Sequence, residues 1–323
     1  MRVNQLHKRN LEFIIVTNDT GLEVILANLG ASIYSIKYDN DMMSMTPIMS
    51  LDFEKSTAYY GKTVGRVAGR IKNSEINYDN KIYKLEANEG TTSLHGGPHG
   101  LFTKYWSSSV KELSYGIEVT YTYLSLDNEG GYPGNANFLV TYLIHKDEAV
   151  IDIKFECDVD KTCPINITNH TYFCLGEKSL KECELMIHAD KFIEVDPINQ
   201  IPLKEKEVFG PLDFNNYRNL LKDINDPYLQ DSKTKGYDHF FIFNCDANQI
   251  SLKGSRYQMD IDTSFEGVQI YTHNYMDNII TMASGALQYR GVALEPQLNQ
   301  LHQNLLKPGE TYRHYISYSF KRI

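Results

Sequence analysis

The sequence predicts an all-β protein, built as one large, mostly antiparallel β-sandwich. Three observations lead there: long runs in which apolar and polar residues alternate, turn chemistry between those runs, and few helical signals. Ile117-Glu118-Val119-Thr120-Tyr121-Thr122-Tyr123 alternates as a strand with one wet face should. Ile151 to Val159 alternates without a break, and Ile316-Ser317-Tyr318-Ser319-Phe320 does the same near the C-terminus. Turns fall between them at Tyr78-Asp79-Asn80-Lys81, at Asp127-Asn128-Glu129-Gly130-Gly131 with Tyr132-Pro133-Gly134, and at Lys307-Pro308-Gly309-Glu310. Only 213–226 suggests helix, as one or two short turns. No linker, low-complexity stretch or fixed-period repeat divides the chain. Residues 1–323 are therefore expected to form a single domain, since all-β folds commonly exceed the usual domain size. GxGxxG and P-loop motifs are absent, as is the strand-helix alternation of a Rossmann or TIM fold.

The composition narrows the class of partner. Of 323 residues, 42% are hydrophobic and 23% charged, near the globular average, so disorder is not expected. The 23 tyrosines against one tryptophan suit half-buried strands, and also sugar pockets, where a ring stacks and its hydroxyl hydrogen-bonds. A formal net charge of -9 repels nucleic acid and anionic membranes, so neither is an expected partner. Cys157, Cys163, Cys174, Cys183 and Cys245 show no CxxC or zinc-like spacing and are expected to be reduced thiols. The first residues, MRVNQLHKRNLEF, lack an apolar h-region, and no apolar run is long enough to span a membrane; a cytoplasmic protein is expected.

Several segments set titratable groups among glycine or apolar residues. In Gly65-Arg66-Val67-Ala68-Gly69-Arg70-Ile71, two arginines lie where a backbone can approach closely; they read as surface arginines or as a guanidinium fork on a ligand. In Ser93-Leu94-His95-Gly96-Gly97-Pro98-His99, a histidine beside paired glycines is a turn residue or has room for a ligand. His170, in Asn166-Ile167-Thr168-Asn169-His170-Thr171-Tyr172-Phe173, is a core histidine or a proton donor working near neutral pH. Glu295 follows the apolar run Val292-Ala293-Leu294 and precedes Pro296, which is expected to end strand pairing; it is an exposed strand-end residue or a general base. Asp238, before His239-Phe240-Phe241, offers the same choice.

Taken in order, these segments are specific. With TKYW, NEGGYPG, GVQIYT and LKPGETY between and after them, the chain resembles the aldose 1-epimerase (galactose mutarotase) family over nearly its whole length. The resemblance implies the sandwich of the galactose mutarotase-like superfamily, with an open cleft on one sheet. It implies Glu295 as catalytic base, His170 as catalytic acid and His95 as an assisting histidine, with Arg70 and Asp238 holding sugar hydroxyls. Gln269 matches a position that contacts sugar in some members only. Three features depart from the family: Cys174 where NHTYF is often followed by Asn, Gly69 where many members have Asn, and Leu298 to Asn304 in place of an FPDAPN-like loop. These bear on the preferred sugar.

The implied reaction is mutarotation of a free hexose such as galactose or glucose. A base takes the anomeric hydroxyl proton, an acid protonates the ring oxygen, and the opened aldehyde rotates and closes on its other face. Neither a metal nor a redox cofactor is required, and no HxH or HxxxH pair suggests a metal site. The alternatives are a hexose-6-phosphate 1-epimerase, for which no basic cluster stands out, a non-catalytic carbohydrate-binding module, and a glycoside hydrolase using Asp238 and Glu295.

Overall fold

The computed structural model describes residues 1–47, 50–275 and 288–323. Among them the antiparallel strands gather into three principal sheets. A five-stranded sheet is formed by the N-terminal strands Arg2–Lys8, Leu11–Thr17, Leu22–Ala27, Ser32–Tyr38 and Asp41–Met42, taken in order. The nine-stranded sheet runs from Ser107–Leu113 through Gly116–Ser125, Ala136–His145 and Val150–Val159 to Thr311–Arg322, then on to Tyr257–Thr263 and three shorter strands. The six-stranded sheet is ordered Tyr172–Phe173, Val292–Gln297, Gly267–Tyr271, Asp238–Ile242, Lys191–Val195 and Pro202–Glu207. Among the described residues, helix is confined to short pieces such as Ser50–Lys55 and Pro227–Gln230.

The alternating runs occupy the strands they predict. Ile151, Ile153, Phe155 and Cys157 are fully buried, while the residues between them are half-buried or exposed. Ile316, Tyr318 and Phe320 behave likewise, and register places Tyr318 opposite both Ile151 and Ile261. The Tyr78-Asp79-Asn80-Lys81 hairpin is a two-residue turn with positive φ at both Asp79 (51°) and Asn80 (56°), the backbone that suits Asp and Asn. One continuous core joins Val16 and Leu26 of the first sheet, Phe138 and Phe155 of the second, and Val268 and Leu294 of the third.

Two local expectations are corrected. Residues 213–226 hold a short strand, Arg218–Asn219, followed by turns; the helical turn begins only at Pro227, capped by the Asp226 side chain. Asp213 and Asn219 there accept backbone N–H groups two residues on, a local bonding pattern that competes with helix. Pro296 does not end its strand: it stays in the ladder opposite Val268, and Glu295 sits mid-strand opposite Gln269. On the other side of Pro296 the ladder to Tyr172–Phe173 has already stopped at Ala293, so a missing N–H interrupts no pairing there.

Candidate active site

Side chains alternate across a strand, and that alternation gives the six-stranded sheet two unlike faces. Val268, Ile270, Val292 and Leu294 point into the core. The intervening residues face the other way. Gln269 lies directly opposite Glu295, Tyr271 lies opposite both Asp238 and Ala293, and Tyr172 also pairs with Ala293. This second face floors a cavity of about 530 Å³, a size suited to a small molecule. Loops and the short strand Arg70–Ile71 complete the walls, contributing Tyr59, Arg70, Glu89, His95, Lys233 and Gln300. All six residues singled out by sequence line this one cavity: Arg70, His95, His170, Asp238, Gln269 and Glu295.

Two glycine motifs bring Arg70 and His95 together. Leu94 pairs with Arg70 in a short ladder. Gly96, at φ +93°, packs so closely that a Cβ there would lie 1.9 Å from the Gly65 carbonyl oxygen. His95 itself is held at φ +54°, a conformation that non-glycine residues seldom adopt. His170 is fixed by its backbone: its N–H donates to Lys62 O and its carbonyl accepts from Gly61 N–H, both at 2.9 Å. Asn169 adds a side-chain bond to Gly61 O at 2.8 Å.

His95, His170 and Glu295 converge in a buried corner of the cavity. His170 Nε2 stands 3.4 Å from Glu295 Oε1, and the His95 and His170 rings meet edge-on with centroids 5.4 Å apart. Tyr59 packs against both imidazoles. Burial pushes His170 down to about 3 and lifts the Glu295 carboxyl well above its ordinary value, the latter helped by the nearby Asp238 charge. The pair is thus drawn towards two neutral groups. Neutral imidazole with carboxylic acid, and imidazolium with carboxylate, differ only in which partner holds one shared proton. His170 Nδ1 and Glu295 Oε2 are buried without a hydrogen-bond partner among the described residues, as expected of polar atoms that meet a ligand.

His95 has a defined tautomer. The Gly69 N–H donates to its Nδ1 at 3.2 Å, so in the neutral ring the hydrogen sits on Nε2. Burial, then the proximity of His170 and Arg70, holds this ring well below the usual histidine range. Donor atoms of His95, His170 and Glu295 lie within 4.8 Å of one another, a spacing that a small cation could span. With one His95 nitrogen engaged by Gly69 and the other carrying hydrogen, however, that ring offers no free lone pair, and the trio suits proton transfer better than ligation.

Opposite this corner is a charged network. Arg70 forks onto Glu89, with Nε to Oε2 at 2.7 Å and Nη2 to Oε1 at 3.3 Å, and its Nη1 donates to Asp238 Oδ2 at 3.2 Å. Lys233 reaches the same Glu89 at 3.2 Å, and Gln269 Nε2 donates to Asp238 Oδ1 at 2.5 Å. Burial works against the Arg70 charge, but Asp238 and Glu89 outweigh it and hold the guanidinium above its ordinary value. For Asp238, burial wins over Arg70 and its carboxyl is raised.

Two residues of the sequence motifs lie elsewhere. Arg66 turns away from the cavity and donates to Ser125 and to the carbonyls of Leu126, Pro133 and Gly134. His99 is exposed, near Glu86. Cys174 does not line the cavity; it packs with Met45, Tyr60, Tyr172 and Ala293, its thiol pushed up to about 11 by burial. All five cysteines are free thiols. Sequence reasoning missed Glu89, Lys233 and Gln300, which carry no motif of their own. Gln300 was within reach, since the loop holding it departs from the family pattern.

Comparison with known proteins identifies the family. The chain is 35% identical over 274 residues to a galactose mutarotase from Sus scrofa, covering 79% of this chain and 77% of that one. It is 29% identical to an aldose 1-epimerase from Escherichia coli K12, covering 95% and 94%. The crystal structure of a galactose 1-epimerase from Lactobacillus acidophilus NCFM superposes with a TM-score of 0.91 at 27% identity, covering 100% and 99%. The galactose mutarotase fold is therefore established, and the family model for aldose 1-epimerase matches residues 12–319. Matched from its first sheet to its last strand, this chain belongs to the aldose 1-epimerase family of isomerases.

Proposed function

We propose that this protein interconverts the α and β anomers of a free hexose, with galactose or glucose as substrate, and that Glu295 and His170 move the protons. The observation that carries the assignment is the buried His170–Glu295 pair at 3.4 Å, facing a cavity whose far side is set with hydrogen-bonding groups. Ring opening needs an acid and a base acting across one sugar, and a pair holding a single proton supplies both. Glu295 takes the anomeric hydroxyl proton while His170 delivers one to the ring oxygen. After rotation about C1–C2 the transfers reverse. His95, with hydrogen on Nε2, donates to a sugar oxygen. Arg70, Asp238 and Gln269 hold the non-reacting hydroxyls and supply orientation.

The charge pattern supports an unphosphorylated sugar. Among the described residues, the two Lys/Arg cations lining the cavity, Arg70 and Lys233, are already engaged by Glu89, and Arg70 by Asp238 as well, which leaves a phosphate poorly met. Asp238 is likewise committed to Arg70, which weakens its case as the second carboxylate of a glycoside hydrolase. The continuous core supports a single domain over 1–323. The net charge supports a neutral small-molecule partner, and the free cysteines are in keeping with a cytoplasmic setting. No helix among the described residues is long and apolar enough to cross a membrane.

Polarimetry or NMR exchange on freshly dissolved sugars tests the activity. Glu295→Gln keeps size and hydrogen bonding but cannot take a proton, so kcat should fall roughly 10²-fold or more. His170→Asn should fall similarly, and the double variant should be little worse than either single change. A Glu295→Gln protein with near-normal kcat overturns the assignment of the base. Failure of the unaltered protein to speed any aldose overturns the activity itself.

A further inference from the structure

The side chain of Gln300 lies flat against Gly69. A Cβ at position 69, where φ is +81°, would stand 2.7 Å from Gln300 Cδ and Nε2 and 2.8 Å from Oε1, so the carboxamide occupies space that only glycine leaves open. Gln300 and Arg70 are also the two residues that line both the main cavity and an adjoining one of about 270 Å³. The Gln300 amide is therefore part of the wall between two cavities.

Its orientation follows from a carboxylate two residues away in the network. Asp238 Oδ1 can only accept, so Gln269 must turn its Nε2 towards it, at 2.5 Å. That turn presents Gln269 Oε1 to Gln300, whose Nε2 donates to it at 3.4 Å. The same logic leaves Gln300 with its acceptor, Oε1, uncommitted. Gly69, against which the carboxamide lies, gives its own N–H to His95 Nδ1 and so does not occupy this acceptor, and His95 lines the same cavity with its Nε2 as a donor. A sugar hydroxyl in the cavity can donate to this free acceptor.

We propose that Gln300 is a specificity-determining residue that contacts substrate. Its Oε1 accepts the hydrogen of one non-reacting sugar hydroxyl, and its side chain bars substituents on that hydroxyl from the adjoining cavity. The proposal rests on the mutarotase reading of the cavity and adds to it a position that discriminates between hexoses.

A binding measurement separates the two claims. In a Glu295→Gln background, sugar affinity is read by NMR titration without turnover, using galactose, glucose and their monodeoxy derivatives. Adding Gln300→Ala should weaken binding of the parent hexose about 2- to 10-fold, the worth of one hydrogen bond. One monodeoxy sugar, lacking the contacted hydroxyl, should be bound equally with and without Gln300. The methyl ether at that same oxygen should be bound better by the Gln300→Ala protein, whose wall is opened. Gly69→Ala, which displaces the carboxamide, should weaken the parent hexose in the presence of Gln300 and not in its absence. Thermal melts confirm that each variant is folded. If Gln300→Ala binds the parent sugars unchanged, or weakens all monodeoxy sugars by the same factor, the proposal is overturned. Mutarotation by the unaltered protein, measured separately, tests the underlying reading.

Discussion

Arg66 and Arg70 stand four residues apart in one motif, and a single substitution separates their roles. Arg66 is 2% exposed, and its guanidinium donates to five oxygens: Ser125 Oγ and O, Leu126 O, Pro133 O and Gly134 O, at 2.8–3.2 Å. Ser125 Oγ in turn donates to Glu129 Oε2 at 2.5 Å. Arg66→Lys keeps the positive charge but brings only three N–H groups on one nitrogen, which cannot span that fan of acceptors. At least two oxygens lose their partner, and each buried orphan costs about 1–3 kcal/mol, so a loss of about 2–6 kcal/mol is expected. Equilibrium urea unfolding should show it as a lower midpoint at unchanged slope. The protein that remains folded should bind sugar normally, because Arg66 does not line the cavity. An Arg66→Lys protein within 1 kcal/mol of the parent would refute the claim that this guanidinium holds the loops together.

Other outcomes follow from the same structure. Arg70→Ala should raise KM and lower kcat together in polarimetric assays while leaving a folded protein; a change in neither constant would remove Arg70 from the site. On the proposed roles, the His170–Glu295 pair works while it holds one shared proton, and its limbs belong to the pair. With His170 pushed down to about 3 and Glu295 lifted by burial, kcat/KM should hold through mildly acidic pH and fall on the alkaline side as that proton is lost. A fall centred near the ordinary histidine value on the acid side would contradict this. His239 is buried behind Asp238 and held down to about 4 by burial, so below about 6.5 the unfolded chain binds the proton first and stability falls with pH. Between pH 7 and pH 5 this loss is about 2 kcal/mol, and His239→Gln should remove it from the pH dependence of urea unfolding; an unaltered dependence would show that His239 does not carry it.

Much of the fold was legible because a half-wet strand writes its burial directly into alternate residues, as at 151–159. What joins strands distant in sequence leaves no such local mark. Nothing in Ile316–Phe320 names Val150–Val159 and Tyr257–Thr263 as its two neighbours. Residues 213–226 misled because Asp and Asn side chains bond locally in ways a propensity scan does not register. In the site, His95, His170 and Glu295 stood out through their motifs. That Arg66 would serve the loops and Arg70 the cavity was undecidable from GRVAGR, since both sit among the same small residues. Glu89, Lys233 and Gln300 become visible only when folding carries them to the same wall.

The floor of the cavity is written in a reading frame of two. Glu295 faces the cavity because Leu294 and Pro296 do not, and Gln269 faces it because Val268 and Ile270 do not. One residue inserted into or deleted from either strand would send a carboxyl or an amide into the oily interior and an isoleucine or leucine to the sugar, erasing chemistry and core together. Length changes in this pair of strands should therefore survive only in steps of two, whereas the loop carrying Gln300 is free to vary by single residues. On the proposed roles, such a division would let the proton-moving pair stay fixed while the preferred sugar changes.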